Sequence, residues 1–303
     1  MRKTAFFDLH CDTLTAYSSL TNEKAAFSLD NLPENSLWTQ CCAIFIPDNR
    51  RGEDAVRYYE KYRDCLYKEA ERLSDRLVHC RTADDVKSAL ASDRHAVVLT
   101  VEGGAALAGD LARVEKLYDD GVRMMTLTWN GENELGAGND LPERGLTPFG
   151  RDAVREMERV GMVVDVSHLN DRGFWGVCEI AQKPFVASHS NSRSMCNVPR
   201  NLTDEQICEI IRRGGLIGLN YYTKFLGGED MDRIWRHIEH MLSLGAEDVL
   251  ALGSDYDGAD IPECLAKPYR LPDMCDYLLA RGLRDDMLTD ILCGNAMKFF
   301  AGL

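Results

Sequence analysis

Short runs of apolar and β-branched residues recur along this chain, and stretches with the apolar spacing of helices separate them. This alternation is typical of βα units around a parallel sheet. In a chain of 303 residues it predicts an α/β fold, a single (β/α)8 or TIM barrel over residues 1–303 whose last segments are closing helices. The predicted strands are Ala5–Leu9, Thr39–Ile46, Ala96–Val101, Val122–Thr128, Met162–Val166, Pro184–Ala187, Gly215–Leu219 and Val249–Gly253.

Helix-capping residues between these runs support the same assignment. Thr147 and Pro148 offer an N-cap followed by proline at the first helical position, and Gly161 is placed to end that helix. Thr203 and Gln206 have the spacing of a capping box. We therefore expect a helix to begin at each of these two points.

Charge and composition exclude several classes of protein. A formal charge of −14 argues against a nucleic-acid-binding groove. No run approaches the roughly 20 apolar residues of a membrane span, and the amino-terminal residues lack the apolar stretch of a signal peptide. The 11 cysteines contain no C-x-x-C pair, so we expect reduced, mostly buried thiols. These features predict a cytoplasmic protein that binds neither membranes nor nucleic acid.

Residues that can bind a metal follow the carboxyl ends of the predicted strands, where barrels of this architecture build their active sites. His10 and Asp12 lie two apart in an extended segment, so their side chains point to the same side. Three imidazoles with several carboxylates suit zinc or another borderline divalent metal. The candidate site residues are His10, Asp12, Glu102, His168, His189 and Asp255.

Two metal ions explain this set better than one, because three histidines with Asp12 and Glu102 exceed the usual four-ligand shell of zinc. A carboxylate can bridge two ions about 3.5–4 Å apart, and such a pair lowers the pKa of a shared water toward about 7. Asp255 is then placed to accept a proton and pass it to a leaving amine. The set predicts hydrolytic chemistry by a metal-bound hydroxide.

Other polar residues receive less specific interpretations. We expect His237 and His240 to lie on the solvated side of a helix near Asp230–Leu244, and His79 and His95 to lie at the opposite end of the barrel from the site. None of the four receives a role.

Three aspartates flank the candidate ligands. Asp8 and Asp165 have two open interpretations, orientation of ligating imidazoles or capping of the core by hydrogen bonds. Asp257 precedes Gly258, and this pair indicates a turn. Cys11 lies between two candidate ligands, and we expect it to pack in the core.

Seven short motifs occur in an order that resembles the membrane dipeptidase family, also called renal dipeptidase or the M19 metallopeptidases. They are DLHCDT at 8–13, VEGG at 101–104, TLTWN at 126–130, DVSH at 165–168, SHS at 188–190, PRN at 199–201 and GSDYDG at 253–258. The resemblance implies a zinc-dependent dipeptidase with two Zn²⁺ ions. It gives His10 and Asp12 to one ion, His168 and His189 to the other, Glu102 as the bridge and Asp255 as the acid/base residue.

The same resemblance assigns the substrate contacts. Arg200 matches the family's substrate-binding arginine, whose guanidinium can hold a dipeptide carboxylate through two hydrogen bonds. Trp129 stands where the mammalian enzymes have a histidine, and an indole can donate one hydrogen bond but cannot carry a proton at neutral pH. Asn130 or Asn220 could replace that donor, and Trp129 could instead form a wall of the pocket. The family also implies tolerance of a C-terminal D-residue, a homodimer and, without a leader or lipid anchor, its intracellular microbial branch.

Two alternatives remain open. Another metal-dependent amidohydrolase on the same barrel would act on a lactone, a cyclic amide or an aminated base. Such enzymes usually open with H-x-H and use a lysine-derived bridge, whereas this chain has H-x-D at residues 10–12 and Glu102 as the bridge candidate. A non-catalytic, metal-stabilised scaffold is the other alternative, because Trp129 removes a donor.

Overall fold

The computed structural model describes residues 3–302. Eight parallel strands among these residues form a closed ring, and a ninth lies outside it. The strands are β1 (Thr4–Cys11), β2 (Ser36–Phe45), β3 (Leu77–Cys80), β4 (His95–Glu102), β5 (Val122–Thr126), β6 (Val163–Asp165), β7 (Val186–Ala187), β8 (Leu216–Leu219) and β9 (Leu250–Leu252). The ring is a TIM barrel, as the sequence predicts.

The ring closes because β2 pairs directly with β4, with Thr39 opposite Ala96 and Phe45 opposite Glu102. The short strand β3 pairs with the amino-terminal half of β4, and β5 pairs with the other half. All eight predicted strands are present. The sequence prediction missed β3, whose four residues are too few to show a strand periodicity.

Helices follow most of the strands and cover the outside of the ring. They are α1 (Thr13–Tyr17), α2 (Gly52–Arg72), α3 (Ala83–Ala91), α4 (Ala112–Asp119), α5 (Pro148–Val160), α6 (Asp171–Cys178), α7 (Asp204–Arg213), α8 (Thr223–Leu226), α9 (Met231–Ser243), α10 (Leu271–Ala280), α11 (Asp285–Thr289) and α12 (Asn295–Ala301). A π-helical turn at Asp290–Gly294 joins the last two. Within residues 3–302, none of these helices combines the length and the apolar character needed to cross a bilayer.

The predicted capping residues begin the helices that the sequence indicates. Thr147 accepts a hydrogen bond from the Gly150 N–H at the start of α5, and Gly161 ends that helix with a φ of 89°. Thr203 and Gln206 form a reciprocal capping box at the start of α7. These bonds satisfy backbone donors that the helix itself cannot satisfy.

An apolar layer fills the amino-terminal half of the barrel interior. It draws one buried residue from each strand of the ring: Phe7, Cys41, Val98, Met124, Val163, Val186, Leu216 and Ala251. Phe300 of α12 stacks on Phe7 with ring centroids 5.2 Å apart, so the last helix closes this end. The interior is therefore a packed core at one end, and polar chemistry is confined to the other.

Polar side chains occupy the next interior layer. Residues two apart in a strand point to the same side, so Thr126, Asp165 and Ser188 follow Met124, Val163 and Val186 into the interior. Each of these three polar residues is buried. The change from apolar to polar marks the floor of the candidate site.

Candidate metal centre

Six side chains from five strand ends converge at the carboxyl end of the barrel. His10 lies in β1 and Asp12 directly follows it, Glu102 ends β4, and the others follow β6, β7 and β9. All six are at most 8% exposed. They are the six candidate site residues of the sequence: His10, Asp12, Glu102, His168, His189 and Asp255.

Glu102 stands at the centre of this group, with each carboxylate oxygen facing a different set of imidazoles. Its Oε1 lies 2.8 Å from His168 Nε2 and 3.7 Å from His189 Nε2. Its Oε2 lies 3.5 Å from His10 Nε2, which is 3.6 Å from Asp12 Oδ2. Donor atoms around one tetrahedral zinc lie about 3.3 Å apart, since Zn–N bonds are about 2.0–2.1 Å. The spacing is therefore close to that of a metal shell on both sides of Glu102.

Three buried polar atoms in this group have no hydrogen-bond partner among residues 3–302. They are His10 Nε2, Asp12 Oδ1 and Glu102 Oε2. An unsatisfied buried polar group costs about 1–3 kcal/mol, more when it is charged. A cation bound between these atoms would satisfy all three, so the residues present fit a metal ion on this side.

The two sides of Glu102 differ in their electrostatics. Burial lowers the pKa of His10, but the charges of Glu102 and Asp12 outweigh it and hold that pKa well above its ordinary value. Burial, with Glu102 next to it, raises the pKa of Asp12 to about 7. Burial also raises the pKa of Glu102, but His10 and His168 outweigh it and hold the pKa well below its usual range. These shifts favour the charged form of Glu102 and of His10 and the neutral form of Asp12.

The other side presents two neutral imidazoles. Burial and the charge of Arg200 lower the pKa of His168, and burial with the charge of His10 lowers the pKa of His189 well below its usual value. The Nδ1 atom of His168 lies 2.8 Å from Asn130 Oδ1. The Nδ1 atom of His189 lies 2.7 Å from Ser188 Oγ. Neutral imidazoles with a free Nε2 are the form that binds zinc.

Asp255 is held at the edge of the group, beside His10. Its Oδ1 lies 3.9 Å from His10 Nε2, and its Oδ2 accepts a hydrogen bond of 2.9 Å from Asn220 Nδ2. Its backbone has a φ of 64°, and that of His168 has a φ of 69°. Left-handed backbone is uncommon for residues other than glycine and is concentrated at functional sites.

A cavity of about 570 Å³ opens above these side chains. Asp12, Glu102, His168 and Asp255 line its floor. Its walls include the aromatic residues Phe45, Tyr58, Trp129, Tyr222 and Phe225. A cavity of this size holds a small ligand and leaves the polar floor accessible.

Trp129 contributes one wall of this cavity. It packs edge-on against Phe45, with ring centroids 5.0 Å apart, and lies 6.4 Å from the His168 ring. The two asparagines considered as replacement donors have other partners, since Asn130 bonds His168 and Asn220 bonds Asp255. No sequence pattern indicates these two orienting contacts, because they join segments far apart in the chain.

Arg200 lies next to the centre but does not line the large cavity. Its Nη1 donates to Ser190 Oγ at 2.8 Å, and its Nη2 donates to the His189 carbonyl at 3.0 Å. Its Nε is buried and has no partner among the described residues. The guanidinium lies 5.4 Å from the ring centroid of Phe225, which does line the cavity.

Asp257 and Cys11 lie near the site but make contacts that stabilise the fold. Asp257, with a φ of 67°, accepts hydrogen bonds from Thr13 Oγ1 and from the backbone N–H groups of Ala26 and Phe27. Cys11 is fully buried, with its Sγ 3.7 Å from that of Cys42, and it packs in the core.

The expectation that His237 is solvated was wrong. His237 is fully buried, its Nδ1 accepts from the Ser192 N–H at 3.2 Å, and its Nε2 lies 3.3 Å from the Leu226 carbonyl. The signal was present in the sequence, because His237 lies three residues after Ile234 and four before Met241 on one helical face. His240 lies nearer the surface and pairs with Asp204 at 2.8 Å.

A parallel barrel with imidazoles and carboxylates gathered at the carboxyl ends of its strands defines a metal-dependent hydrolase. The chain belongs to the membrane dipeptidase family, peptidase family M19, whose family model matches residues 1–302. It is therefore a metallodipeptidase.

Sequence and structure comparisons agree with this family. A metallopeptidase from Rhodobacter sphaeroides, crystallised with a phosphinate mimic of the dipeptide L-Ala-D-Ala, is 26% identical with a TM-score of 0.92 over 98% of this chain and 99% of its own. The dipeptidase AC, another M19 metallopeptidase, is 27% identical with a TM-score of 0.92 over 98% of each chain. An uncharacterised protein encoded in the pqqA 5′ region of Klebsiella pneumoniae is 34% identical over 74% of this chain and 88% of its own length.

Proposed function

We propose that this chain hydrolyses dipeptides with a pair of zinc ions held at the barrel mouth. The observation that carries the proposal is the position of Glu102, whose two oxygens face separate ligand sets 3.5 Å and 2.8 Å away. His10 and Asp12 would hold one ion, and His168 and His189 the other. A zinc pair supplies a hydroxide nucleophile near neutral pH and polarises the peptide carbonyl.

Asp255 acts as the acid/base residue in this proposal. Its carboxylate lines the cavity floor, and Asn220 fixes one of its oxygens by a 2.9 Å hydrogen bond. The other oxygen is free to take a proton from the attacking water and to deliver it to the departing amine. A positioned carboxylate of this kind contributes about 10²–10⁴-fold to a hydrolytic rate.

Arg200 binds the terminal carboxylate of the substrate. Each Nη atom uses one N–H on Ser190 or His189, so one N–H on each remains, together with the unpartnered Nε–H. A buried guanidinium at a fixed distance from the metal centre selects the peptide bond next to the carboxyl terminus, because that bond has a free carboxylate one residue beyond it. A dipeptide has only this bond.

Trp129 serves as a pocket wall and not as the oxyanion donor. Its ring packs on Phe45 in the aromatic lining of the cavity. The cavity, at about 570 Å³, has room for a small ligand such as a dipeptide. The L-Ala-D-Ala mimic bound by the Rhodobacter sphaeroides protein supports substrates with a C-terminal D-residue.

One sample tests these assignments together. The purified protein is analysed for bound metals by mass spectrometry and assayed with a panel of L,L and L,D dipeptides, with the chelated protein as control. We expect two zinc ions per active chain and hydrolysis that is lost on chelation and restored by zinc. Full activity with one ion per chain would refute the bridging role of Glu102. A zinc-loaded protein that cleaves a cyclic amide but no dipeptide would instead support the amidohydrolase alternative.

A further inference from the structure

Two buried aspartate–serine pairs have nearly the same geometry. In one pair, Asp165 accepts the backbone N–H of Ser188 at 2.9 Å and its hydroxyl at 2.5 Å. In the other, Asp8 accepts the backbone N–H of Ser254 at 2.9 Å and its hydroxyl at 2.5 Å. All four residues are at most 1% exposed. Each pair joins a strand of the ring to the segment that follows the neighbouring strand.

The pairs differ in what else the serine oxygen contacts. Ser188 Oγ lies 2.7 Å from Nδ1 of His189. Ser254 Oγ lies 3.2 Å from the backbone carbonyl of His10 and accepts the Tyr256 N–H at 3.3 Å, so it contacts backbone groups only. One pair therefore ends on the imidazole of a candidate ligand, and the other does not.

A count of protons fixes the tautomer of His189. The oxygens of Asp165 accept four donors: the N–H groups of Ser167 and Ser188 and the hydroxyls of Thr126 and Ser188. A serine hydroxyl has a single proton. Because Ser188 gives that proton to Asp165, its oxygen can only accept from His189, and the imidazole proton must lie on Nδ1. The Nε2 lone pair then faces His168 Nε2 at 2.9 Å and Glu102 Oε1 at 3.7 Å.

The backbone around Ser188 leaves little room for a different arrangement. A Cβ on Gly218 or Gly253 would collide with the Ser188 carbonyl oxygen. Ser188 and His189 are both fully buried, so bulk water does not compete for the contact between them. The serine oxygen is thus a fixed acceptor beneath the imidazole.

We infer that Ser188 and Asp165 are positioning residues that hold His189 as the Nδ1–H tautomer, with Nε2 presented to a metal ion. This inference rests on the proposed function, because it gives His189 the role of a ligand. Partners of this kind behind a ligating histidine typically change metal affinity about 10- to 100-fold. Asp165, one residue removed from the imidazole, acts by keeping the serine hydroxyl turned away from it.

The substitution Asp165→Asn should reverse the direction of the hydrogen bond between Ser188 and His189. The backbone N–H groups of Ser167 and Ser188 still require an acceptor, so the amide oxygen must take the Oδ1 position. The amide nitrogen then faces Ser188 Oγ and donates to it. The serine proton turns toward Nδ1 of His189, which moves the imidazole proton to Nε2 and blocks the ligand atom.

The first experiment compares Ser188→Ala with the matched control Ser254→Ala. Both remove a buried hydroxyl from an aspartate, but only the first frees an imidazole. Zinc affinity of the metal-free protein is measured by competition with a fluorescent chelator. We expect Ser188→Ala to weaken one zinc equivalent about 10- to 100-fold, and Ser254→Ala to change it less than about threefold. Equal losses in the two variants would overturn the inference.

The second experiment reads the tautomer directly in the metal-free protein. Long-range ¹H–¹⁵N spectra of the histidine rings separate protonated from unprotonated nitrogens. We expect a protonated Nδ1 at His189 in the wild type and in Asp8→Asn, and a protonated Nε2 in Asp165→Asn. An Nε2–H wild type, or an unchanged tautomer in Asp165→Asn, would overturn the inference. These spectra decide the matter even where Ser188→Ala fails to fold.

The experimental result that would refute the proposed function differs from the one that would refute the positioning role. A wild-type protein that binds no zinc under any condition would refute the dimetal proposal, whereas the tautomer in the metal-free protein would still be measured. A wild-type protein that binds two zinc ions with the wrong His189 tautomer would refute only the positioning role.

Discussion

Among residues 3–302, largely buried imidazoles lie both at the barrel mouth and away from it, and only those at the mouth belong to a cluster that could hold a metal ion. At the mouth lie His10, His168 and His189. Away from it lie His79, His95 and His237, for each of which burial lowers the pKa to about 4. The second set bonds to backbone groups where it bonds at all, as when the Trp38 N–H donates to His95 Nδ1 at 3.2 Å.

The two sets of imidazoles differ in whether they converge with carboxylates in one cluster. Glu102 and Asp12 hold the pKa of His10 well above its ordinary value despite complete burial. None of the three histidines in the other region lies in a metal-sized cluster of residues 3–302. Burial favours the neutral imidazole, and the carboxylates that converge at the mouth supply the further donor atoms that a metal shell needs. Substitutions at the mouth and away from it test this distinction.

The largest effect is expected from Glu102→Gln, which removes the carboxylate shared by both sides of the centre. Loss of one partner from a buried charge cluster costs about 3–5 kcal/mol, so zinc binding should weaken about 10³-fold and turnover should be abolished. Bound zinc and dipeptide hydrolysis are the measurements. Glu69→Gln is the matched control, because Glu69 is also buried but bonds Arg72 and the Leu20 N–H far from the mouth. An active, fully metallated Glu102→Gln enzyme would contradict the bridging scheme.

Asp255→Asn should separate proton transfer from metal binding. We expect the variant to retain both zinc ions while turnover slows about 10²- to 10³-fold, since the amide cannot accept the proton. Metal content and turnover rate are measured on the same preparation. Loss of one zinc ion would show that Asp255 is itself a ligand, an arrangement that its 3.9 Å approach to His10 makes physically reasonable.

The histidines away from the mouth predict a pH dependence of stability. His237 has a pKa of about 4 in the folded chain and about 6.5 when unfolded. The unfolded chain therefore binds more protons, and stability is lost as the pH falls from about 6.5 to 4. His237→Gln removes this contribution, so urea unfolding of its metal-free form should lose about 2–3 kcal/mol less between pH 7 and 4.5 than the metal-free wild type loses. Equal losses in both proteins would show that His237 is not buried in the neutral form.

The smallest effect is expected from Trp129→Phe, which keeps an aromatic wall but removes the indole N–H. Loss of an oxyanion donor slows turnover about 10²–10³-fold, whereas we expect this variant to change it less than about threefold. Steady-state kinetics with one L,L and one L,D dipeptide provide the measurement. Turnover slowed by about two orders of magnitude would show instead that the indole stabilises the transition state.

The barrel and the gathering of the candidate ligands could be predicted because both follow from local patterns. Each strand is a short apolar run, and each candidate ligand lies at the end of one, so parallel closure alone brings them together. The additional strand β3 and the buried position of His237 were missed, the first for its shortness and the second because histidine counts as a polar residue even when it lies on an apolar stripe.

The sequence indicates Asp165 as a candidate orienting residue, but it could not give the partners through which the orienting contacts are made. Asp165 meets Ser188 only because β6 and β7 pair with Asp165 opposite Val186. Asn130 reaches His168 from a different loop, and Arg200 turns two of its nitrogens toward Ser190 and His189. No spacing rule connects residues on separate strands, so the register and the loop paths have to be known.

The bond between Asp8 and Ser254 joins residues 246 positions apart. Since β1 also pairs with β9, the ring cannot close until most of the polypeptide has been synthesised. The five residues expected to hold metal all precede position 190, whereas the carboxylate expected to move protons arrives at 255. A nascent chain emerging from the ribosome would thus possess the elements for capturing cations well before it could turn over a substrate.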